Sequence, residues 1–93
     1  MNLEDYTVLD LTWLLPGPYG TMLLADMGAE VVKIEEPTRG DYARWLEPEI
    51  EGTDSSAMFQ SVNRNKKSVA LDLKAEAGRE AFLELAAEAD AVF

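Results

Sequence analysis

Short apolar runs rich in β-branched residues alternate along the chain with stretches of helical spacing. The run from Tyr6 to Leu11 predicts a buried strand, with Trp13 just beyond it. Pro16, Gly17 and Pro18 break that strand, and Pro18 suits the first turn of a helix, where a missing N–H is harmless. Tyr19, Met22, Leu23, Asp26 and Met27 follow at helical spacing. Tyr19, Met22, Leu23 and Met27 form the apolar stripe, which Leu24 widens. Gly28 is placed to end the helix as a C-cap glycine. Glu30 to Ile34 predicts a second strand. The segment from Tyr6 to Ile34 therefore reads as a βαβ unit, right-handed and with parallel strands.

The second half is less regular at first. Glu35 to about Ser56 shows no period and contains Pro37, Gly40, Pro48 and Gly52. Loops of this length are commonly functional lids or mobile segments. Ala57 to Val62 fits a short helix or an extended stretch equally well. Asn63 to Lys67 is a polar, basic turn. Ser68 to Asp72 predicts a third strand, and Leu73 and Lys74 lead into a helix from about Ala75 to Ala89. Phe82, Leu85, Ala86 and Ala89 form its expected core face. Ala91 opens a fourth strand, at which the sequence stops. The order β-α-β-loop-β-α-β is that of an α/β, Rossmann-like parallel sheet. Residues 1–93 are expected to be the truncated N-terminal part of a larger domain of that kind.

Composition narrows the chemistry. The chain has no cysteine and no histidine. That removes thiolate chemistry and disulfides, and also the commonest metal ligand and the usual acid/base group near neutral pH. No metal site is expected. The N-terminus lacks the pattern of a secretory signal, and no apolar run approaches the ~20 residues that span a bilayer. A cytoplasmic protein without membrane partners is the expectation. The net charge of −10 argues against nucleic-acid binding, which needs a basic footprint.

Against that acidic background the cations are informative. Of eight basic residues, Arg64, Lys66, Lys67 and Lys74 fall within eleven positions, while Arg39 and Arg44 lie in the long loop. Ligands of an open parallel sheet bind at the carboxyl ends of its strands. Here those ends are Trp13 to Tyr19, Glu35 to Asp41, and Leu71 to Lys74. A positive patch there suits a multiply phosphorylated small molecule. The plainer alternative is that Lys66 and Lys67 keep a strand end soluble. Lys74 stands at a strand-to-helix turn, where backbone N–H groups also point at ligands.

Glu35 ends the second strand, where a dinucleotide-binding protein places a ribose carboxylate. The first turn, however, is not G-x-G-x-x-G, and Pro16 and Pro18 remove N–H groups that a pyrophosphate needs. The prolines with Leu14 and Leu15 offer an apolar surface for a flat base, or plain core packing together with Trp13. A Walker motif is absent. A nucleotide pocket of another build is favoured over a standard NAD site.

Taken together, these stretches resemble the family III CoA-transferases, which include formyl-CoA transferase, carnitine CoA-transferase and α-methylacyl-CoA racemase. The matching residues run from Val8 to Thr12, Pro16 to Tyr19, Leu24 to Glu35, Gly40 with Asp41, Asn63 to Ser68, Leu71 to Lys74, Gly78 with Arg79, and Ala89 to Val92. The order and spacing are the family's over almost the whole chain. The wording around Pro16 to Tyr19 and Leu24 to Gly28 leans toward racemases, and Met58 to Lys66 leans toward transferases.

The resemblance implies a CoA-binding domain within a much longer chain that forms an interlocked homodimer and acts on an acyl-CoA and a carboxylic acid. Coenzyme A would lie across the strand ends, with Leu15 and Pro16 on its adenine side. Leu71, Asp72, Leu73 and Lys74 would hold the nucleotide and its phosphates, and Asn65 and Lys66 would border the site. Many members place an arginine where Glu36 stands, and Arg39 is the candidate substitute. Family transferases attack the thioester with an aspartate, and racemases move a proton with a His/Asp pair. None of Asp10, Asp26, Asp41 or Asp72 matches the catalytic position. The catalytic residues are expected beyond residue 93, and this segment alone is expected to be inactive. Asp10 and Asp26 read as structural. Two other classes stand beside this one: an NAD-type dehydrogenase domain using Glu35, and a non-catalytic interaction module using the acidic face and the long loop.

Glu76, Glu80, Glu84 and Glu88 repeat every fourth residue on the last helix. Such a row is a solvated face or an adaptation to a salty cytoplasm, since salt screens like-charge repulsion. Melting curves in rising KCl separate the two. Salt adaptation raises the midpoint steeply, whereas simple solvation leaves it flat.

Overall fold

The computed structural model describes residues 2–46, 48, 50–52 and 55–93. Its elements are β1 (Thr7–Asp10), α1 (Pro16–Asp26), β2 (Glu30–Glu35), a 3-10 turn (Tyr42–Trp45), α2 (Ala57–Val62), β3 (Lys67–Ala70), α3 (Glu76–Glu88) and β4 (Ala91–Val92). The four strands form one parallel sheet in the order β3-β2-β1-β4. The α/β reading of the sequence and its parallel βαβ units are therefore present in the structure.

Successive strand residues face opposite sides of the sheet, and the two sides are built differently. On one, Leu9, Val32 and Ile34 meet Phe82 and Ala86 of α3 and Ala89, the residue that caps it. On the other, Val8 and Val31 meet Ala25 and Ala29 at the end of α1. Two residues further along each strand, that second face turns ionic. Asp10 lies beside Lys33 in the register, Lys33 beside Ser68, and Glu35 follows. Asp10, Lys33 and Glu35 are all buried.

That polar end sets the rotation of α1. Of the expected stripe, Met22 is buried and Leu24 packs against the core, whereas Tyr19, Leu23 and Met27 are 51%, 39% and 43% exposed. The buried face is instead Pro18, Thr21, Met22 and Ala25. The cause is a set of polar bonds at the start of the helix. Thr21 donates its hydroxyl to Asp10 at 2.7 Å, and Lys66 donates to the Pro18 carbonyl at 3.0 Å. Gly28 does end the helix region, at φ +103°.

Ala57 to Val62, undecided from sequence, is helical. Ser56 caps it by accepting from the Phe59 amide at 3.1 Å, and Phe59 and Val62 are its buried residues. On α3, Phe82, Ala86 and Ala89 pack on the sheet as expected, but Leu85 is 38% exposed. The helix lies against the sheet along a narrow strip, and Leu85 falls beside it. Strand β3 stops at Ala70, two residues before the predicted Asp72, so Leu71 and Asp72 belong to the turn that follows.

That turn packs tightly under α3. A Cβ at Gly78 would stand 1.9 Å from the Asp72 carbonyl oxygen, a backbone atom that has no side-chain freedom to retreat. Gly78→Ala is expected to displace the turn and lower stability by about 1–3 kcal/mol. Urea denaturation of the variant checks this, and an unchanged midpoint would show that the turn yields freely.

Candidate functional site

The carboxyl ends of β1, β2 and β3 enclose a cavity of about 530 Å³. Leu11 and Trp13 line it from β1, residues 34–38 from β2, and Leu71, Asp72, Leu73 and Lys74 from β3. Trp13, the first residue of the bend that leads to the prolines, thus shares one rim with the Lys74 turn, at the strand ends where open parallel sheets bind ligands. The floor is apolar, through Leu11, Ile34, Leu71 and Leu73. The charged residues of the lining are Asp72 and Lys74 on one side and Glu35 and Glu36 on the other.

The Lys74 turn is self-supporting. The Lys74 amide donates to Asp72 Oδ1 at 3.0 Å, and the Ala75 amide donates to the Asp72 carbonyl at 3.1 Å. An aspartate that bonds the amide two residues on is a compact way to fix such a bend. The Lys74 side chain remains exposed.

Glu36 bends the opposite wall. Its carboxylate accepts the Thr38 amide at 3.0 Å, the Gly40 amide at 2.8 Å and the Arg39 amide. The Arg39 amide, with those of Thr38 and Gly40, holds the carboxyl below its ordinary range. Just beyond lies a second hollow of about 250 Å³, where Arg39, Arg44, Trp45 and Ala70 join the wall formed by residues 35–38. Arg39 sits 5.2 Å over the Trp45 ring, whose Nε1 donates to the Arg39 carbonyl at 2.8 Å.

Three buried carboxylates brace this rim from behind. Asp10 accepts from Lys66 at 2.9 Å and from Thr21, Thr12 and the Thr12 amide. Burial pushes its carboxyl up, but the bonds from Lys66, Thr12 and Thr21 outweigh burial and leave it below its ordinary value. Burial lowers the Lys66 ammonium, against the pull of Asp10. Asp41 pairs with Lys33 at 2.9 Å, with side-chain exposures of 0% and 1%. It also accepts from the Ala43 amide at 2.9 Å and the Leu14 amide at 3.2 Å. Lys33 donates in turn to the Thr12 carbonyl at 2.8 Å. Leu14 is left-handed, at φ +71°, a conformation that costs a residue with a Cβ roughly 1–2 kcal/mol.

Glu35 is the third. Arg44 grips it through two bonds of 2.8 Å, Ser68 donates at 2.6 Å and the Asp41 amide at 2.9 Å. The Arg44 guanidinium also lies 3.9 Å over the Phe59 ring. Burial alone would raise the Glu35 carboxyl, but Arg44, the Asp41 amide and Ser68 together bring it down to about 2. Both oxygens are engaged, so a ribose diol meets no open acceptor here.

The sequence-derived site residues divide accordingly. Leu71, Asp72, Leu73 and Lys74 come together on the cavity wall. Arg39 stands at the neighbouring hollow. Leu15 and Pro16 are exposed on the bend but outside the wall. Lys66 is not at the cavity. Its ammonium is buried and gives its three protons to Asp10, Pro18 and Asn63. Asn65 bonds Asp26 at the far end of α1, alongside Arg64. A basic run marks positive charge but not which lysine a buried aspartate will claim. Sequence reasoning put Pro37 and Thr38 within the strand-end segment Glu35 to Asp41 without naming either as a contact, did not include Leu11, and left Trp13 between a ligand surface and core packing. Trp13 is 45% exposed, its ring 5.4 Å from that of Tyr42.

Among the described residues no group of three or more acidic side chains is placed to hold a metal, and no helix is long and apolar enough to cross a membrane.

Known proteins share this arrangement. The family described as CoA-transferase family III matches residues 3–93. A succinyl-CoA:mesaconate CoA-transferase from Haloarcula hispanica is 55% identical over 93 residues, covering 97% of this chain and 23% of the relative. A human succinyl-CoA:glutarate CoA-transferase is 49% identical over 88 residues, covering 95% of this chain and 20% of the relative. The crystal structure of a CAIB/BAIF family protein from Brucella suis superimposes with a TM-score of 0.88 at 42% identity, over 97% of this chain and 24% of that one. The chain spans only about a quarter of the length of the proteins it matches.

Two outcomes test the braces. Lys66→Met strands a buried Asp10 carboxylate and should cost about 3–5 kcal/mol in urea denaturation. A loss below 1 kcal/mol would mean that solvent reaches Asp10. Glu35 has a folded value of about 2, below its ordinary 4.5, so it adds stability above about pH 4.5 and loses it as pH falls toward 2. Glu35→Gln should flatten that acid limb, by on the order of 2 kcal/mol after allowance for partial solvent screening. An unchanged limb places the acid sensitivity elsewhere.

Proposed function

The chain belongs to CoA-transferase family III, and from that premise we propose that it forms the N-terminal, coenzyme A-binding part of a Rossmann-like domain in an enzyme that moves CoA between carboxylic acids. The observation that carries the reading is the cavity at the three strand ends, with Lys74 and the Asp72 turn on its wall. Its apolar floor suits the adenine or the pantetheine arm, and the Lys74 ammonium suits a phosphate as a charge-assisted donor. Arg39, at the next hollow, suits a second phosphate of the same molecule.

Transfer is favoured over racemisation because the relatives above are CoA-transferases by name. Both names give succinyl-CoA as the donor, which makes it the first acyl-CoA to try. The family resemblance supports an attacking carboxylate that lies beyond these residues, and the aspartates weighed for that role are engaged in structure. Asp10 and Asp41 are buried in ion pairs, Asp26 is paired with Arg64, and Asp72 holds its own turn. The segment by itself is then inactive, and the active species is a cytoplasmic homodimer of the longer chain. An NAD-type site loses its main support, since Glu35 is wholly engaged by Arg44, Ser68 and the Asp41 amide.

Calorimetric titration of the protein expressed from its own gene tests the reading. CoA should bind and NAD should not. Lys74→Ala should weaken CoA by about 1–3 kcal/mol. Unaltered affinity would remove Lys74 from the site, and absence of CoA binding in the unsubstituted protein would remove the site itself.

A further inference from the structure

We infer that Asp41, acting with Lys33, is a positioning residue that sets Trp13 into the wall of the coenzyme cavity. The inference rests on the reading of that cavity as the CoA site.

Trp13 is not fixed by core packing, because nearly half of it is exposed. It is fixed through its two neighbours. On one side the Thr12 carbonyl accepts from Lys33 Nζ at 2.8 Å, and on the other the Leu14 amide donates to Asp41 at 3.2 Å. Lys33 and Asp41 pair with each other at 2.9 Å, so a single buried unit grips the backbone before and after the indole. Asp41 also sets the ring that Trp13 meets. Its carboxylate caps the 3-10 turn through the Ala43 amide, and Tyr42, at the start of that turn, lies 5.4 Å from Trp13 between ring centroids.

The left-handed backbone at Leu14 shows that the grip is needed. A leucine leaves φ +71° readily unless something holds it, and the bond in place is the one to Asp41. Without it the turn relaxes toward ordinary backbone and carries the indole off the rim. The Asp41 carboxylate reaches no part of the cavity wall, so its effect on a ligand passes through Trp13.

A double-mutant cycle on CoA affinity tests this in the protein expressed from its own gene, with thermal melts run alongside. Trp13→Ala should weaken CoA at least several-fold while the melt stays cooperative. Asp41→Asn, which keeps the shape but loses the charge, should weaken CoA to a similar degree. The double variant should bind no worse than Trp13→Ala alone. A merely structural Asp41 gives additive losses instead, and additivity overturns the inference. So does a Trp13→Ala protein that binds CoA as the unsubstituted protein does. If Asp41→Asn does not fold, Leu14→Gly takes its place. Glycine accepts the bend but is free to leave it, and several-fold weaker binding is expected, with undiminished affinity counting as refutation. Failure of the unsubstituted protein to bind CoA sinks the site assignment and is thereby distinct from any of these results.

Discussion

A lysine ammonium inside a protein must find a carboxylate, and this fold meets that demand twice at one end of its sheet. Lys66 pairs with Asp10 and Lys33 with Asp41, all four side chains at 2% exposure or less. Breaking a buried pair typically costs about 3–5 kcal/mol, because the remaining charge has no solvent. That cost holds distant segments together. Lys66 joins the entry to β3 to the first strand and first helix. Asp41 folds the long loop back on β2 and on the bend before α1. The rotation of α1, the path of the loop and the shape of the bend are consequences of these pairs rather than of apolar burial.

The same end of the sheet is where a ligand belongs in this architecture. Strand ends are rich in carbonyls and turn amides, and a site there needs a wall that does not drift. The buried ion pairs supply it from beneath, leaving Lys74, Trp13 and the apolar floor open above. Stiffness below and accessible chemistry above are separate layers: Asp10 and Lys33 on the strands, Asp41 in the long loop and Lys66 just before β3 supply the first, and Trp13 and Lys74, on the turns after β1 and β3, supply the second.

Much of this was legible in the sequence, for identifiable reasons. β-branched runs marked the strands, and the parallel order followed from the two strand–helix–strand segments on either side of the long loop. The turn from Leu71 to Lys74 was recognisable because a strand running into a helix puts its last residues at the ligand edge. What misled was counting apolar residues on α1. Met22 of the expected stripe is buried, but Tyr19, Leu23 and Met27 are exposed, because Thr21 and Pro18 turn inward to serve Asp10 and Lys66. Lys66 misled for the same reason in reverse, as a cation in a basic turn that serves the interior. Neither error is correctable from local spacing, because each depends on a partner up to 56 residues away. Trp13 was weighed evenly between surface and core, and its half-exposed ring shares something of both.

Amide hydrogen exchange with and without CoA addresses the account most directly. Binding across the strand ends predicts slowed exchange in the segments 11–14, 34–38 and 71–74, with the outer face of α3 unaffected. Slowed exchange confined to α3 or to the exposed side of α1, with those three segments unchanged, would contradict it.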